Sequence, residues 1–314
     1  MFHEQQTIHI FFSHYLAIKG DKCHLRSLVQ LNQSMATENR GRPSTCGFSM
    51  LPEECISYVL SFTSPCDICR LSLVSKSFFA AAQSDLLWES FLPPDIAEIL
   101  SRATHPVDCS SRKELYFRLC QPLLVDEGKL SFQLDRPTGK QTYMQSPETM
   151  YIDWINHPQY WKWISLPDSR FSKQAELVSV CWLAIISNID SRLLSQKTMY
   201  TAYMIYKLNP DSYGLDSNSQ KASIKLGAHS QEQRVSLIPD DEEDDEEEVE
   251  KQIQLREDGW LEMVLGEIYN DQGDAGEIEI KFLDIEELHW KKGLVFAGFE
   301  MRPTKRKMDA ELLR

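Results

Sequence analysis

Leu51–Leu92 reads LPEECISYVLSFTSPCDICRLSLVSKSFFAAAQSDLLWESFL, and its residue types predict three short helices. Leu51-Pro52-Glu53-Glu54 is a helix start: proline suits the first helical position, and two acids face the positive end of the dipole. Ile56, Val59 and Leu60 then recur on one face at helical spacing. Ser64-Pro65-Cys66-Asp67 opens a second helix, with Ser64 as N-cap and Asp67 at capping-box distance; Cys69, Leu73 and Val74 follow on its apolar side. Ser84-Asp85 caps a third, carrying Leu87, Trp88 and Phe91. Some 40 residues bury too small a core to hold well alone. So much apolar surface on so small a unit implies that a partner covers one face.

The order of these residues is itself specific. An LPEE opening, a proline-led second helix, then LVSKSF and a late LW resemble the F-box, whose members dock on the Skp-type adaptor of a cullin–RING ubiquitin ligase. The resemblance implies adaptor contacts through Leu51, Pro52, Ile56, Leu60, Leu73, Val74 and Trp88. An ordinary small helical bundle would share the periodicity but not the order of residue types.

The chain has 314 residues and a formal charge of −14, which argues against general affinity for nucleic acid or an anionic membrane. Ten of the eleven residues Asp240–Glu250 are acidic, and without them the remainder carries only −4. Such a block repels itself and cannot be buried, so a solvated loop is expected. A docking site for a basic partner or a Ca²⁺ sink is the alternative, without an EF-hand pattern. Eight cysteines are scattered with no disulfide-framework spacing, which predicts reduced thiols in the cytoplasm or nucleus. Cys66-Asp67-Ile68-Cys69 is a lone CxxC with no further ligands nearby, so core packing is expected rather than zinc or redox chemistry.

Residues 1–45 read as a poorly ordered extension. Ile8–Ile18 is apolar but too short to span a membrane, and no basic run marks a secretory signal. The F-box resemblance places that domain at 46–93. Residues 94–145 read as a connector: a helical turn or two over Asp95–Leu100, a helix started by Ser111 and Glu114, then a hairpin from Leu130–Leu134 and Gln141–Met144 across Pro137-Thr138-Gly139. From about 146 the pattern is β throughout. Glu176–Ile186 reads as one long strand, apolar on both faces and therefore covered on both. Thr198–Leu208, Trp260–Tyr269, Glu277–Phe282 and Leu294–Met301 are further strands, with 209–250 a long loop and 305–314 a tail. The fold class is α+β, a three-helix unit followed by an antiparallel β-sandwich.

Two blocks make the β region specific. The first holds Tyr151-Ile152-Asp153-Trp154, His157-Pro158-Gln159-Tyr160-Trp161-Lys162-Trp163, Ala175-Glu176-Leu177 and Val180-Cys181-Trp182-Leu183. The second holds Asp258-Gly259-Trp260-Leu261-Glu262, Gly266-Glu267, Gly276-Glu277-Ile278-Glu279-Ile280 and Gly298-Phe299-Glu300-Met301-Arg302-Pro303. Over about 146–304 they resemble the phloem protein 2 family of plants, the Nictaba-type lectins. The resemblance implies a jelly-roll-like sandwich that binds N-acetylglucosamine oligomers and N-glycan cores. It also implies a sugar site of two tryptophans, falling on Trp154 and Trp161, and two glutamates, falling on Glu277 and Asp284, the latter shorter than the family's residue. An indole face stacks on the apolar face of a pyranose; the alternative role of each tryptophan is core packing. Residues 277 and 284 face opposite ways in a regular strand. The apolar phase slips between Phe282 and Leu283, which predicts a β-bulge turning Asp284 to the side of Glu277.

Together the two resemblances imply a non-catalytic substrate receptor of an SCF-type ligase, and neither a metal nor a cofactor is expected. The F-box anchors the adaptor, and the sandwich holds a target through N-acetylglucosamine-containing glycans. Two alternatives stand beside it: a plain lectin outside ubiquitination, or a ligase receptor that grips protein rather than sugar. Two convergent carboxylates would also suit a glycosidase, but no nucleophile motif, HExxH or phosphate loop accompanies them.

Overall fold

The computed structural model describes residues 51–217, 219–238, 253–272 and 276–304. The expected N-terminal extension, the acidic block Asp240–Glu250 and the tail 305–314 lie outside the described residues. The chain divides into two compact units, 1–90 and 91–314, and the observed layout is α+β.

Among its described residues the first unit contains four helices rather than three: α1 (Glu53–Leu60), α2 (Pro65–Leu71), α3 (Lys76–Ala81) and α4 (Asp85–Glu89). Ser64 accepts from Asp67 N at 3.1 Å, forming the predicted N-cap on α2, and its hydroxyl donates to the Asp67 carboxylate at 2.7 Å in place of the reciprocal backbone bond of a capping box. The extra helix has its own cap, Ser75, which accepts from Phe78 N at 3.3 Å. Ser84 makes no side-chain cap bond on α4. Ile56, Leu60, Ile68, Leu71, Phe78 and Trp88 are buried, and the Trp88 indole donates to Ala82 O at 2.8 Å. The inner face of α2 is Pro65, Ile68 and Leu71. Cys69 is therefore turned to solvent and Cys66 is half-buried, which corrects the expectation that the CxxC packs in the core.

The second unit begins with α5 (Ile96–Ser101) and α6 (Arg112–Leu119). Ser111 caps α6 through Glu114 N at 3.1 Å, while the Glu114 carboxylate reaches back to Ser110 N at 2.8 Å. Fourteen strands follow among the described residues: β1 (Leu123–Val125), β2 (Leu130–Leu134), β3 (Gln141–Gln145), β4 (Tyr151–Ile152), β5 (Trp161–Ile164), β6 (Gln174–Leu177), β7 (Leu183–Asp190), β8 (Thr198–Tyr213), β9 (Lys221–Leu226), β10 (His229–Arg234), β11 (Ile253–Leu255), β12 (Leu261–Asn270), β13 (Glu277–Asp284) and β14 (Lys292–Pro303). They form two antiparallel sheets. Nine strands run in the order β1-β2-β3-β14-β8-β12-β11, with β6 also on β14 and β5 on β6; five run β10-β9-β13-β7-β4.

The inner faces follow from period-2 alternation. Tyr200, Ala202, Met204 and Tyr206 of β8 are buried, as are Ile278, Ile280 and Phe282 of β13 and Ala222, Ile224 and Leu226 of β9. The sheets meet where a side chain at Gly266 would come within 2.7 Å of Ile224, and Gln145 of β3 bonds Ser187 and Asn188 of β7 at 2.6 and 2.9 Å. On the other face of the large sheet Met144, Ile205, Trp260, Val295 and Ala297 form a second cluster with Phe171. Beside it Glu300, 1% exposed, pairs with Arg170 at 2.7 Å and Arg256 at 2.9 Å, with Arg302 at 3.6 Å. Burial alone would raise the Glu300 carboxyl; the charges of Arg170, Arg302 and Arg256 outweigh it and pull it down to about 2.

Three expectations are corrected. Glu176–Ile186 is not one strand: β6 ends in the large sheet, and the chain crosses at 178–182 to enter the small one as β7. Its apolar residues at both parities reflect membership of two sheets. Residues 209–250 are not one loop, since the end of β8 and the β9–β10 hairpin lie within them. Residues 94–145, read as a connector, supply α5, α6 and the first three strands of the large sheet.

Candidate functional site

The four expected sugar-binding residues sit in four different surroundings. Trp154 follows the short strand β4 and is 52% exposed. Trp161 opens β5, is 1% exposed, and donates its indole N–H to Asp153 O at 2.9 Å. It is a core residue, with no ring face left for a ligand. Glu277 is exposed at the start of β13. Asp284 ends the same strand and is wholly buried.

The predicted bulge is absent. β13 pairs with β7 in unbroken register from Glu277↔Asp190 to Asp284↔Leu183. Asp284 therefore continues the inward series of Ile278, Ile280 and Phe282, and Glu277 faces outward about 23 Å away along the strand. The apolar phase slip that implied a bulge comes from Asp284 itself, a polar residue on the buried side. Its compensation is local: Lys291 Nζ lies 3.3 Å from Asp284 Oδ1. Ser219 Oγ and Gln220 Nε2 also donate to the carboxylate, at 3.0 and 3.2 Å. The ammonium donates onward to the carbonyls of Cys181, Glu287 and His289 at 3.1–3.2 Å. Asp284 thus holds together three chain segments and has no accessible oxygen for a sugar hydroxyl.

The two accessible members do not converge either. Ile152 pairs with Ile185 and Glu277 with Asp190 on β7, five residues apart, or about 17 Å along the strand. With Trp154 beyond Ile152, it and Glu277 stand at opposite ends of the small sheet. Neither geometry places two carboxylates across a scissile bond.

What does gather at the Trp154 end is aromatic. The Tyr151 hydroxyl donates to Asp153 Oδ1 at 2.5 Å and the Trp182 indole to Asp153 Oδ2 at 2.7 Å. The bond to Asp153 raises the Tyr151 phenol above its ordinary value. Tyr151 and Trp182 are 61% and 42% exposed. Trp154 has φ +63° and contacts Tyr160 and His157 with ring centroids 5.7 and 5.9 Å apart. Nothing local in the sequence marks Tyr151, Asp153 and Trp182 as a group; aromatics beside one acid were the available signal.

The expected adaptor contacts divide by burial. Ile56, Leu60 and Trp88 form the core of the helical unit. Leu51 and Val74 are half-buried, Pro52 is exposed, and Leu73, just past α2, is 86% exposed. Tyr58, Phe79 and Leu86, unassigned from the sequence, are also exposed. Helix periodicity names the inward residues most strongly, and these are the ones a partner cannot touch. Among the described residues no group of three His, Cys, Asp or Glu side chains is arranged to hold a metal, and no helix is long and apolar enough to cross a membrane.

Residues 140–303 match the family described as Phloem protein 2, and residues 48–94 the family described as F-box-like. F-box protein PP2-B10 of Arabidopsis thaliana is 39% identical over 86% of this chain and 99% of its own length. F-box protein VBF of the same plant is 35% identical over 81% of this chain and 99% of its own.

Proposed function

This chain belongs to the F-box proteins that carry a phloem protein 2 domain, and from that premise we propose that it is a non-catalytic receptor subunit of an SCF-type ubiquitin ligase. The helical unit docks a Skp-type adaptor, and through it a cullin–RING ligase. The β-sandwich holds a target that bears N-acetylglucosamine-containing glycans. The chain contributes by holding its target near the charged ubiquitin carrier, a proximity effect. It acts in the cytoplasm and nucleus, without nucleic acid or membrane.

One observation carries the reading: the four short helices of residues 51–90 leave Pro52, Leu73, Phe79 and Leu86 in solvent. An apolar surface of that extent on so small a unit marks a protein interface. The test is capture of a recombinant Skp-type adaptor by the full chain, beside a Pro52→Ala/Leu73→Asp double variant. The variant should fold and lose capture about tenfold or more. Equal capture by both proteins would remove the ligase reading.

A further inference from the structure

We propose that the saccharide platform of the β domain is the aromatic group Tyr151, Trp154 and Trp182, with Asp153 as the residue that positions it. This rests on the glycan half of the reading above, and it replaces the four-residue site that the fold pulls apart.

Every polar atom of Asp153 is engaged. Its N–H donates to Ala184 O at 3.1 Å, and its carbonyl accepts from Trp161 at 2.9 Å. Its two carboxylate oxygens accept, one each, from Tyr151 at 2.5 Å and Trp182 at 2.7 Å. The backbone bonds fix Asp153 to β7 and the buried indole; the carboxylate then fixes two exposed rings. Trp154, next in the chain, is braced by Tyr160 and His157. A bulky residue at positive φ is strained, and here it holds a ring out in solvent rather than inside the core.

The occupant follows from the chemistry of this surface. Rings set in advance lose little rotamer freedom on binding. Their faces suit the C–H side of a pyranose. The carboxylate oxygens keep lone pairs beyond the one bond each accepts, enough to receive a sugar hydroxyl beside the rings. An extended peptide would need a free strand edge for its backbone, and β4 offers only two residues. A saccharide needs no such ladder.

The test is titration of tri-N-acetylchitotriose into the full chain, read by calorimetry and by tryptophan emission. Wild type should bind with an emission shift. Trp154→Leu and Trp182→Leu should each lose about tenfold or more in affinity. Tyr151→Phe, which keeps the ring and removes only the tether, should lose several-fold at unchanged melting temperature, and Asp153→Asn should show the same loss with a smaller emission shift. Should Asp153→Asn unfold, Tyr151→Phe and Trp182→Phe decide the matter, since both keep an aromatic ring. Wild-type binding left unaltered by the Tyr151 and Trp182 variants would overturn the platform and leave the glycan reading standing. No wild-type binding at millimolar sugar, with adaptor capture intact, would overturn both and leave a protein-binding receptor.

Discussion

Lys291 and Asp284 form an ion pair, Nζ to Oδ1 3.3 Å, in which neither side chain reaches solvent. The pair binds the end of β13 to the segment before β14 and to Cys181, where the chain changes sheets. Such a pair contributes little against an apolar substitute, but removing one partner strands a charge in the interior.

Asp284→Ala is accordingly expected to destabilise the fold by about 3–5 kcal/mol. Asp284→Leu with Lys291→Met should recover part of that loss. Asp284→Glu, which restores the family's longer acid, adds a methylene to a filled site and should cost about 1–3 kcal/mol. Urea midpoints of the variants check this. An Asp284→Glu protein more stable than wild type would show that the site has room.

Acid should unfold the β domain partly through Glu300. Its folded value, about 2, lies below the ordinary 4.5, so its contribution is fully present above pH 4.5 and is lost as pH falls towards 2. The contribution is about 3 kcal/mol. Stability measured against pH should fall across that window, and Glu300→Gln should be less stable at neutral pH with a flatter acid limb. Parallel limbs in the two proteins would contradict the assignment.

Gly298 sits at φ +144° where β14 shifts register against β8, and a side chain there would come within 2.1 Å of Gln145 O. Gly298→Ala should cost more than about 2 kcal/mol, because backbone rather than a movable side chain blocks the space. Thermal melts check it: a change of under about 2 °C would mean that β3 yields.

Ser64→Ala removes the α2 cap and should cost the helical unit about 1 kcal/mol, with Ser64→Gly costing only a few tenths. Helical CD during urea titration separates the two. Equal losses would mean that the serine oxygen does not act as the cap.

What was legible in the sequence was what short range decides. Ser64 with Asp67, Ser111 with Glu114, and the hairpin from Leu130 to Met144 each depend on neighbours a few residues away, and each formed as expected. The misreadings all involve partners that alternation does not name. Glu176–Ile186 looks like one strand because nothing local marks the crossing between sheets. Trp154 and Trp161 are alike as residue types, yet one stands in solvent and the other in the core, since their sites are set by β7 and β6. Asp284 reads as a surface acid until Lys291, Ser219 and Gln220 are folded around it. Lys221–Leu226 does alternate, but the polar run of Asp211–Ser219 before it and the acidic block after it made the whole stretch look like loop.

β14 is the last described strand in the chain, yet it lies inside the large sheet, with β3 and β6 along one side and β8 along the other. During synthesis the helices of the first unit can form from contacts only tens of residues apart, while the sheet must wait for residues near 300 to leave the ribosome. A message cut short before Lys292 would yield a protein able to form the helices of its first unit but lacking the strand that joins the two halves of its large sheet. If the proposed docking holds, such a product would occupy adaptor without delivering cargo, and truncating alleles should then behave as dominant inhibitors rather than simple losses.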